Sequence, residues 1–135
     1  MELLVAIIIL GTMISLAIPR FTKTIEQSYE KQAALNLLTV RTALTLYKLE
    51  HNGYPSGGLN DVTAVNDVLG LGIIANNMTY RCTNVGPANY DCQATSPSGW
   101  RLHIASSFIN GDPHCSEGMP PCPTCTTGVK CPFLP

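Results

Sequence analysis

The chain has 135 residues, of which 13% are charged, and 8 Lys and Arg against 9 Asp and Glu leave a formal net charge of −1. This balance excludes the strongly basic surface typical of nucleic-acid or anionic-lipid binding. The length suits one modest domain with an extension, and a core of that size is thin enough to benefit from covalent cross-links.

None of the cysteines lies in the first 81 residues of the sequence. They stand at positions 82, 92, 115, 122, 125 and 131. An even number of cysteines in a short chain predicts disulfides and therefore an oxidising compartment outside the cytosol. The alternative is a zinc site, because Cys122 and Cys125 have zinc-like spacing and His114 is nearby. We favour disulfides, since zinc ribbons usually carry two such pairs.

The N-terminal segment is apolar from Leu3 to Pro19, with Glu2 before it and Arg20 after it. As a helix it would be about 25 Å long, close to the hydrocarbon thickness of a bilayer. A signal peptide is disfavoured, because no basic residue precedes the run and no small-residue cleavage site follows it. We therefore predict a hydrophobic membrane helix over residues 1–19.

Residues 20–51 continue the helix with an amphipathic pattern. Apolar residues recur every three or four positions at 21, 25, 29, 33, 37, 40, 44 and 47, and leucines at 35, 38, 46 and 49 widen the stripe. Charged residues at 23, 26, 30, 31, 41, 48 and 50 are assigned to the remaining surface. The sequence Asn52-Gly-Tyr-Pro55 is a helix stop. One helix over about 1–51 is far longer than a compact domain of this size can bury, so its N-terminal half must protrude into something apolar.

The rest of the chain predicts a small sheet and a cysteine-rich tail. Residues 52–77 are predicted to form a loop with a short helix over 59–71, in which Val62, Val65, Val68 and Leu69 face inward. Strands are predicted at 78–82, 90–95 and 100–106, within a sheet spanning about 78–108, with Trp100 as a core aromatic. The tail over 109–135 has little apolar periodicity and must depend on covalent bonds. The fold class is α+β, with a head domain over 20–135.

The predicted hairpin favours a Cys82–Cys92 disulfide, because the two residues flank it with a loop between them. The other four cysteines allow three pairings, and we leave these open.

Glu2 and Pro19 each admit two interpretations. Glu2 either remains in water as a flank or is buried against a cation of another chain, since Arg20 lies about 27 Å away along the helix. A chain's N-terminal amine is the obvious cation. Pro19, with Gly11 in the same weak stretch, either kinks the helix mildly or marks a segment that melts.

Two stretches carry a resemblance to a known family. The sequence MELLVAIIILGTMISLAIPRF resembles the N-terminus of mature type IV pilins and pseudopilins, in which an acid near the start of a hydrophobic helix is followed 17 residues later by a proline. The stretch from Arg41 to Pro55 is similar to the end of that family's long helix, with its Gly-Tyr-Pro exit. The resemblance covers about residues 1–55.

The resemblance implies a filament subunit. The helix would first lie in the inner membrane and then pack in the filament core, with Glu2 pairing with the N-terminal amine of a neighbouring subunit and Pro19 marking a stretch that loses regular helix. Assembly residues would be Met1, Glu2, Gly11 and Pro19. Core residues would be Leu3, Leu4, Val5, Ile7, Ile8, Ile9, Leu10, Ile14, Leu16 and Ile18.

The implied partners are identical copies, the pilus assembly machinery and the prepilin peptidase. Family precursors have a basic leader that is cut before an N-methylated Phe, whereas Met1 directly precedes Glu2 here. The expected protein is a subunit of an extracellular type IV pilus on a bacterial surface, serving adhesion and motility. The alternatives are the major pseudopilin of a type II secretion system and a minor tip pilin or adhesin.

No arrangement of residues predicts an enzyme, a cofactor or a metal centre, and the three histidines are scattered. Asn77 begins the tripeptide Asn-Met-Thr, which is a candidate glycosylation sequence.

Overall fold

A computed structural model describes residues 2–83, 85–108, 111–116, 118, 120–126 and 131–132, without the side chains of residues 2 and 15–20. The described residues form helices α1 (Glu2–His51) and α2 (Val62–Leu69) and strands β1 (Thr79–Thr83), β2 (Asp91–Thr95), β3 (Arg101–Ala105) and β4 (His114–Cys115). The strands form one antiparallel sheet in the order β1-β2-β3-β4. This arrangement matches the α+β pilin fold, as the sequence predicts.

Helix α1 is 50 residues long and ends where the sequence predicts. Asn52 follows it in the left-handed region at φ 62°. A left-handed residue just past the last turn is a common helix stop, and Asn tolerates that conformation better than most residues.

The core lies between one face of α1 and the inner face of the sheet. On α1 it comprises Ala33, Ala34, Leu37, Val40 and Leu44. On the sheet, alternate residues of each strand point toward the helix; these are Tyr80, Cys82, Cys92, Ala94, Leu102 and Ile104. The core thus forms where side chains that alternate along the strands, every two residues, contact side chains that recur on one face of the helix, every 3.6 residues.

The buried stripe of α1 is narrower than the sequence predicts. Leu35 and Leu46 are each 57% exposed, Leu49 is 77% exposed and Phe21 is 68% exposed. The prediction that these leucines widen the buried face is therefore wrong. The small sheet covers one side of the helix only, and the leucines at 35, 46 and 49 lie outside the area that it covers.

Helix α2 is shorter than the predicted 59–71. The Asp61 side chain accepts a hydrogen bond from the Ala64 backbone N–H at 2.8 Å, which sets its start. Gly70 ends it at φ 63°. Leu59 instead pairs with Cys82 at the edge of the sheet, through bonds of 3.0 and 2.7 Å. Val65 is buried, but Val68, predicted to face inward, is exposed.

Part of the tail adds to the sheet. Strand β4 pairs with β3, so that Leu102 lies opposite Cys115 and His103 opposite His114. The sequence predicts no strand here, because two residues are too few to display an alternating pattern. Backbone hydrogen bonds therefore hold this part of the tail in addition to covalent bonds.

Candidate assembly surface

The N-terminal part of α1 exposes its apolar side chains. Every residue from Leu3 to Ile14 is exposed. The large apolar side chains in this segment, at positions 3, 4, 5, 7, 8, 9, 10, 13 and 14, are between 50% and 81% exposed. Burying one such side chain is worth about 1.5–3 kcal/mol, so an apolar helix of this kind favours association.

The small polar residues of this segment are compatible with burial. Thr12 Oγ1 donates a hydrogen bond to the Ile9 carbonyl at 2.9 Å, so its hydroxyl proton has a partner within the helix. Gly11 has nothing within 4 Å of the position that a Cβ would take, so another helix can approach its backbone closely. A neighbouring apolar surface could thus cover Gly11 and Thr12 without leaving the Thr12 hydroxyl proton unpaired.

Several predicted assembly and core positions lie outside the described residues. These are Met1 and the side chains of Glu2, Leu16, Ile18 and Pro19. The helical backbone itself continues from residue 2 through residue 20. The roles of these side chains stay predictions.

Over the described residues, none of the helices has both the length and the hydrophobicity needed to cross a membrane.

Glu26 connects α1 to the turn between β2 and β3. Its carboxylate accepts hydrogen bonds from the Ser98 hydroxyl and the Trp100 indole Nε1–H, each at 2.6 Å. Trp100 is a buried core aromatic, as the sequence predicts, and its polar N–H is satisfied by this bond. Glu26 therefore fixes the position of this turn against the helix.

Glu30 connects α1 to the cysteine-rich tail. Its carboxylate accepts hydrogen bonds from the backbone N–H groups of Thr124 and Cys125, both at 2.8 Å, and from the Thr124 hydroxyl. The side chain is 0% exposed, so its assignment to the surface is wrong. A usable signal was present, because Glu30 stands three residues before Ala33 and seven before Leu37, on the helical face that is buried.

All six cysteines are paired. Cys82 bonds to Cys92, as the hairpin predicts. The four cysteines whose pairing the sequence leaves open form the disulfides Cys115–Cys122 and Cys125–Cys131. None of the cysteines is free, so the zinc alternative loses its thiolate ligands. The two tail disulfides close short loops with sequence separations of 7 and 6.

Two core tyrosines lie beside polar groups of α1. Burial raises the pKa of Tyr80, an effect partly offset by the hydrogen bond that the Asn36 amide donates to its hydroxyl oxygen at 2.8 Å. Burial and the nearby Tyr54 raise the pKa of Tyr90, while Arg41 lowers it. Both phenols are thus favoured in their neutral form.

Asn77 is exposed in a turn closed by a hydrogen bond from the Met78 N–H to the Ala75 carbonyl at 2.7 Å. Its glycosylation stays a prediction. Within the described portion of the chain, no group of three His, Cys, Asp or Glu residues is arranged to hold a metal ion.

Two curated proteins are similar to part of this chain. It is 36% identical over 56 residues to the type II secretion system core protein G of Pectobacterium carotovorum subsp. carotovorum, over 42% of this chain and 36% of the relative. It is 34% identical over 56 residues to the protein of the same name from Aeromonas hydrophila, over 42% and 39% of the two chains. The match thus spans less than half the length of either relative.

The sequence matches no known family profile. No solved structure matches it either. The pilin fold and the partial similarity together support a pilin-like filament subunit, at the level of that broad class.

Proposed function

We propose that this chain is a structural subunit that polymerises into a helical filament of the type IV pilin class. The observation that carries the proposal is the exposed apolar helix from Leu3 to Ile14. Lateral packing of this segment against the same segment of neighbouring copies withdraws it from water. Because each copy contacts the preceding and the following copy through different faces of this segment, the contact repeats without closing and produces an open fibre. The role is structural rather than enzymatic.

Assembly begins from the inner membrane, which holds the apolar helix before the subunit is extracted. The prepilin peptidase and the assembly machinery act at this stage, and the new N-terminal residue becomes methylated. Glu2 then pairs with the N-terminal amine of a neighbouring copy. The pair neutralises both charges in the dry filament core and sets the register between subunits.

The filament we favour is a type IV pilus on the bacterial surface, serving adhesion and motility. The disulfides support this assignment, because they make the head resistant to conditions outside the cell. The described part of the tail, at the C-terminal end of the head, would face the surroundings of the fibre.

A second candidate is the major pseudopilin of a type II secretion system, which forms a short periplasmic fibre. The partial similarity to the two core proteins G favours it. A minor tip pilin or adhesin is a third candidate. The abundance of the chain in purified fibres distinguishes this candidate from a major subunit, because a major subunit would make up most of the protein in the fibres.

Electron microscopy of material purified from cells expressing the full chain tests the proposal. Fibres of micrometre length composed mainly of this chain are expected for a type IV pilus. Stubby fibres confined to the periplasm would favour the pseudopilin. If the chain remained monomeric while its assembly machinery was present, the proposal of a filament subunit would be refuted.

A further inference from the structure

The outer face of the sheet is polar and points away from α1. Every second residue of β1, β2 and β3 is buried on the side of the helix, and the residues between them are directed outward. Strand β4 continues the pattern, with Cys115 buried and His114 more exposed. The strand register places four outward residues in one row across the sheet, which we call the polar row: Arg81, Gln93, His103 and His114. At about 4.8 Å between neighbouring strands, the row is about 14 Å long.

A second cation lies beside the polar row. Arg101 points outward from β3, two residues before His103. Its Nε–H donates a hydrogen bond to Thr95 Oγ1 on the neighbouring strand at 3.2 Å, which holds the guanidinium group against the sheet. Arg81 is exposed on β1, so two strands and two residues separate the two arginines. This spacing corresponds to about 12 Å between their Cα atoms.

The two imidazoles of the polar row are held in place. The Phe108 ring packs against both, with its centroid 5.0 Å from that of His103 and 4.7 Å from that of His114. The His103 Nδ1 atom also forms a hydrogen bond with the Ser116 hydroxyl at 3.0 Å. Binding to side chains that are already fixed in this way costs less conformational entropy.

The outer face carries a net positive charge. Among the described strand residues that point outward, Arg81 and Arg101 are the cations and Asp91 is the acid. Two arginines against one aspartate leave a formal charge of +1, whereas the whole chain carries −1. Asp91 lies toward one end of the face, opposite Thr83 and four residues from Thr95. The outer face therefore attracts an anionic ligand, although the chain as a whole does not.

The composition of the face indicates the class of anion. A row about 14 Å long exceeds the reach of a single small anion, so it suits an extended polymer. Arginine binds carboxylates through paired hydrogen bonds, and Gln93 and the two imidazoles offer neutral donors and acceptors that suit hydroxyl groups. A polysaccharide that carries carboxylates between neutral sugars has both kinds of group. A nucleic acid has a charge at each phosphate, which calls for a denser array of cations than this face provides.

We propose that the outer face of the sheet binds an acidic polysaccharide. Arg81 and Arg101 bind its carboxylates, while the three other members of the polar row bind its hydroxyl groups. The inference rests on the proposed function, because it names the class of surface to which the fibre adheres. Since the sheet packs on α1 by its inner face, contacts made by the rest of α1 do not use the outer face.

Binding of the full chain to immobilised hyaluronate tests the inference. Hyaluronate alternates a carboxylate-bearing sugar with a neutral one, and neutral detergent micelles keep the chain soluble, so that binding does not depend on assembly. We expect saturable binding to hyaluronate and none to dextran, which is a neutral polysaccharide. Equal affinity for dextran, equal affinity for double-stranded DNA, or no binding to hyaluronate would overturn the inference, even if fibres form normally. Binding by a chain that forms no fibre in cells would refute the filament and support the polysaccharide site.

Single charge substitutions locate the binding face. Arg81→Gln and Arg101→Gln are each expected to weaken binding to hyaluronate about fivefold, because each removes one exposed ion pair with a carboxylate. Lys48→Gln removes a positive charge from an exposed position on α1 and is the matched control, with an expected change of less than about twofold. Asp91→Asn should strengthen binding about twofold, since it removes the acid of the outer face. Equal weakening in Lys48→Gln and the two arginine variants would attribute binding to net charge and overturn the inference.

Chemical modification of the histidines gives a test that needs no variant. Diethyl pyrocarbonate acylates accessible imidazoles, and mass spectrometry measures the extent of reaction at each position. Bound hyaluronate is expected to slow the modification of His103 and His114 severalfold while leaving that of His51, which is exposed on α1, unchanged. Equal slowing at the three histidines, or no slowing at positions 103 and 114, would overturn the inference.

Discussion

Two carboxylates of α1 determine where distant parts of the chain attach to the helix. Glu26 binds residues 72 and 74 positions away, and Glu30 binds residues 94 and 95 positions away. A buried carboxylate is costly unless donors surround it. Glu30 meets this condition with two backbone N–H groups and a hydroxyl. Each acid therefore stabilises the head only because its long-range partners are in place.

Removing the Glu30 charge should weaken the head. In Glu30→Gln, an amide N–H₂ replaces one acceptor oxygen and faces the donors of Thr124 and Cys125. We expect a loss of about 2 kcal/mol in the free energy of unfolding, since hydrogen bonds to charged groups contribute about 1.5–3 kcal/mol. Urea denaturation measures it. Glu50→Gln, on the exposed end of the same helix, is the control and should change stability by less than about 0.5 kcal/mol. Equal stability of the two variants would contradict the role of Glu30.

Gly111 is a second single-residue constraint. Its φ is 61°, and a Cβ at this position would overlap the Arg41 guanidinium group. A side chain at this position would have to displace the Arg41 guanidinium and also adopt a left-handed backbone, which glycine adopts without strain.

Substituting Gly111 should destabilise the protein through both effects. Gly111→Ala must displace the Arg41 side chain and keep a left-handed backbone, so we expect a loss of about 2 kcal/mol, measured by thermal denaturation. Gly86→Ala is the matched control, because nothing lies within 4 Å of its Cβ position. A melting temperature that fell no further for the first variant than for the second would count against this account.

At the scale of the elements, short covalent loops compensate for a small core. The tail disulfides close loops with separations of 7 and 6, and the β1–β2 disulfide closes one of 10. Loops of this size restrict the unfolded chain enough to contribute about 2.5 kcal/mol each. The Cys125–Cys131 loop begins at the residue whose N–H binds Glu30, so the covalent and hydrogen-bonded constraints coincide there.

Removing the last disulfide should loosen the tail selectively. In Cys125→Ser with Cys131→Ser, we expect a loss of about 2 kcal/mol and early cleavage of the tail in limited proteolysis. The comparison variant is Cys82→Ser with Cys92→Ser. Its strands remain paired by the β1–β2 ladder, so its tail should stay protected. Early cleavage within the tail of both variants, or of neither, would argue against a local role.

At the scale of the whole molecule, the head covers only part of a very long helix. Helix α1 has 50 residues and is about 75 Å long, while its buried residues lie between Glu30 and Leu44. The described residues of its N-terminal part are exposed. A monomer in water therefore leaves much apolar surface uncovered, and the proposed polymerisation would bury it in every subunit.

In the proposed filament, assembly is expected to be most sensitive to substitution of Glu2. Glu2→Gln and Glu2→Ala remove the charge that would meet a neighbour's N-terminal amine, leaving that amine unpaired in an apolar core. We expect filament yield to fall by about tenfold or more, by electron microscopy and sedimentation of cell-surface material. Asp67→Asn, an exposed acid on α2, is the control for loss of a negative charge. Normal fibre yield from the Glu2 variants would exclude the pairing.

The sequence alone determined the features that depend on local pattern. Apolar spacing and the Asn52 stop predicted α1 to within a residue, because a helix repeats its pattern over many turns. Alternation predicted β1, β2 and β3, and the hairpin favoured the Cys82–Cys92 bond. These features depend on neighbours in the chain, which the sequence displays directly.

Which surfaces are covered depends on tertiary contacts that no local pattern displays. The tertiary structure placed Glu30 in the core and left Leu35, Leu46 and Leu49 exposed, since the width of the sheet and the path of the tail set the buried area. It also paired the four tail cysteines and added β4. Each of these outcomes depends on contacts between segments far apart in the chain. A local pattern carries no information about which distant segment will pack against it.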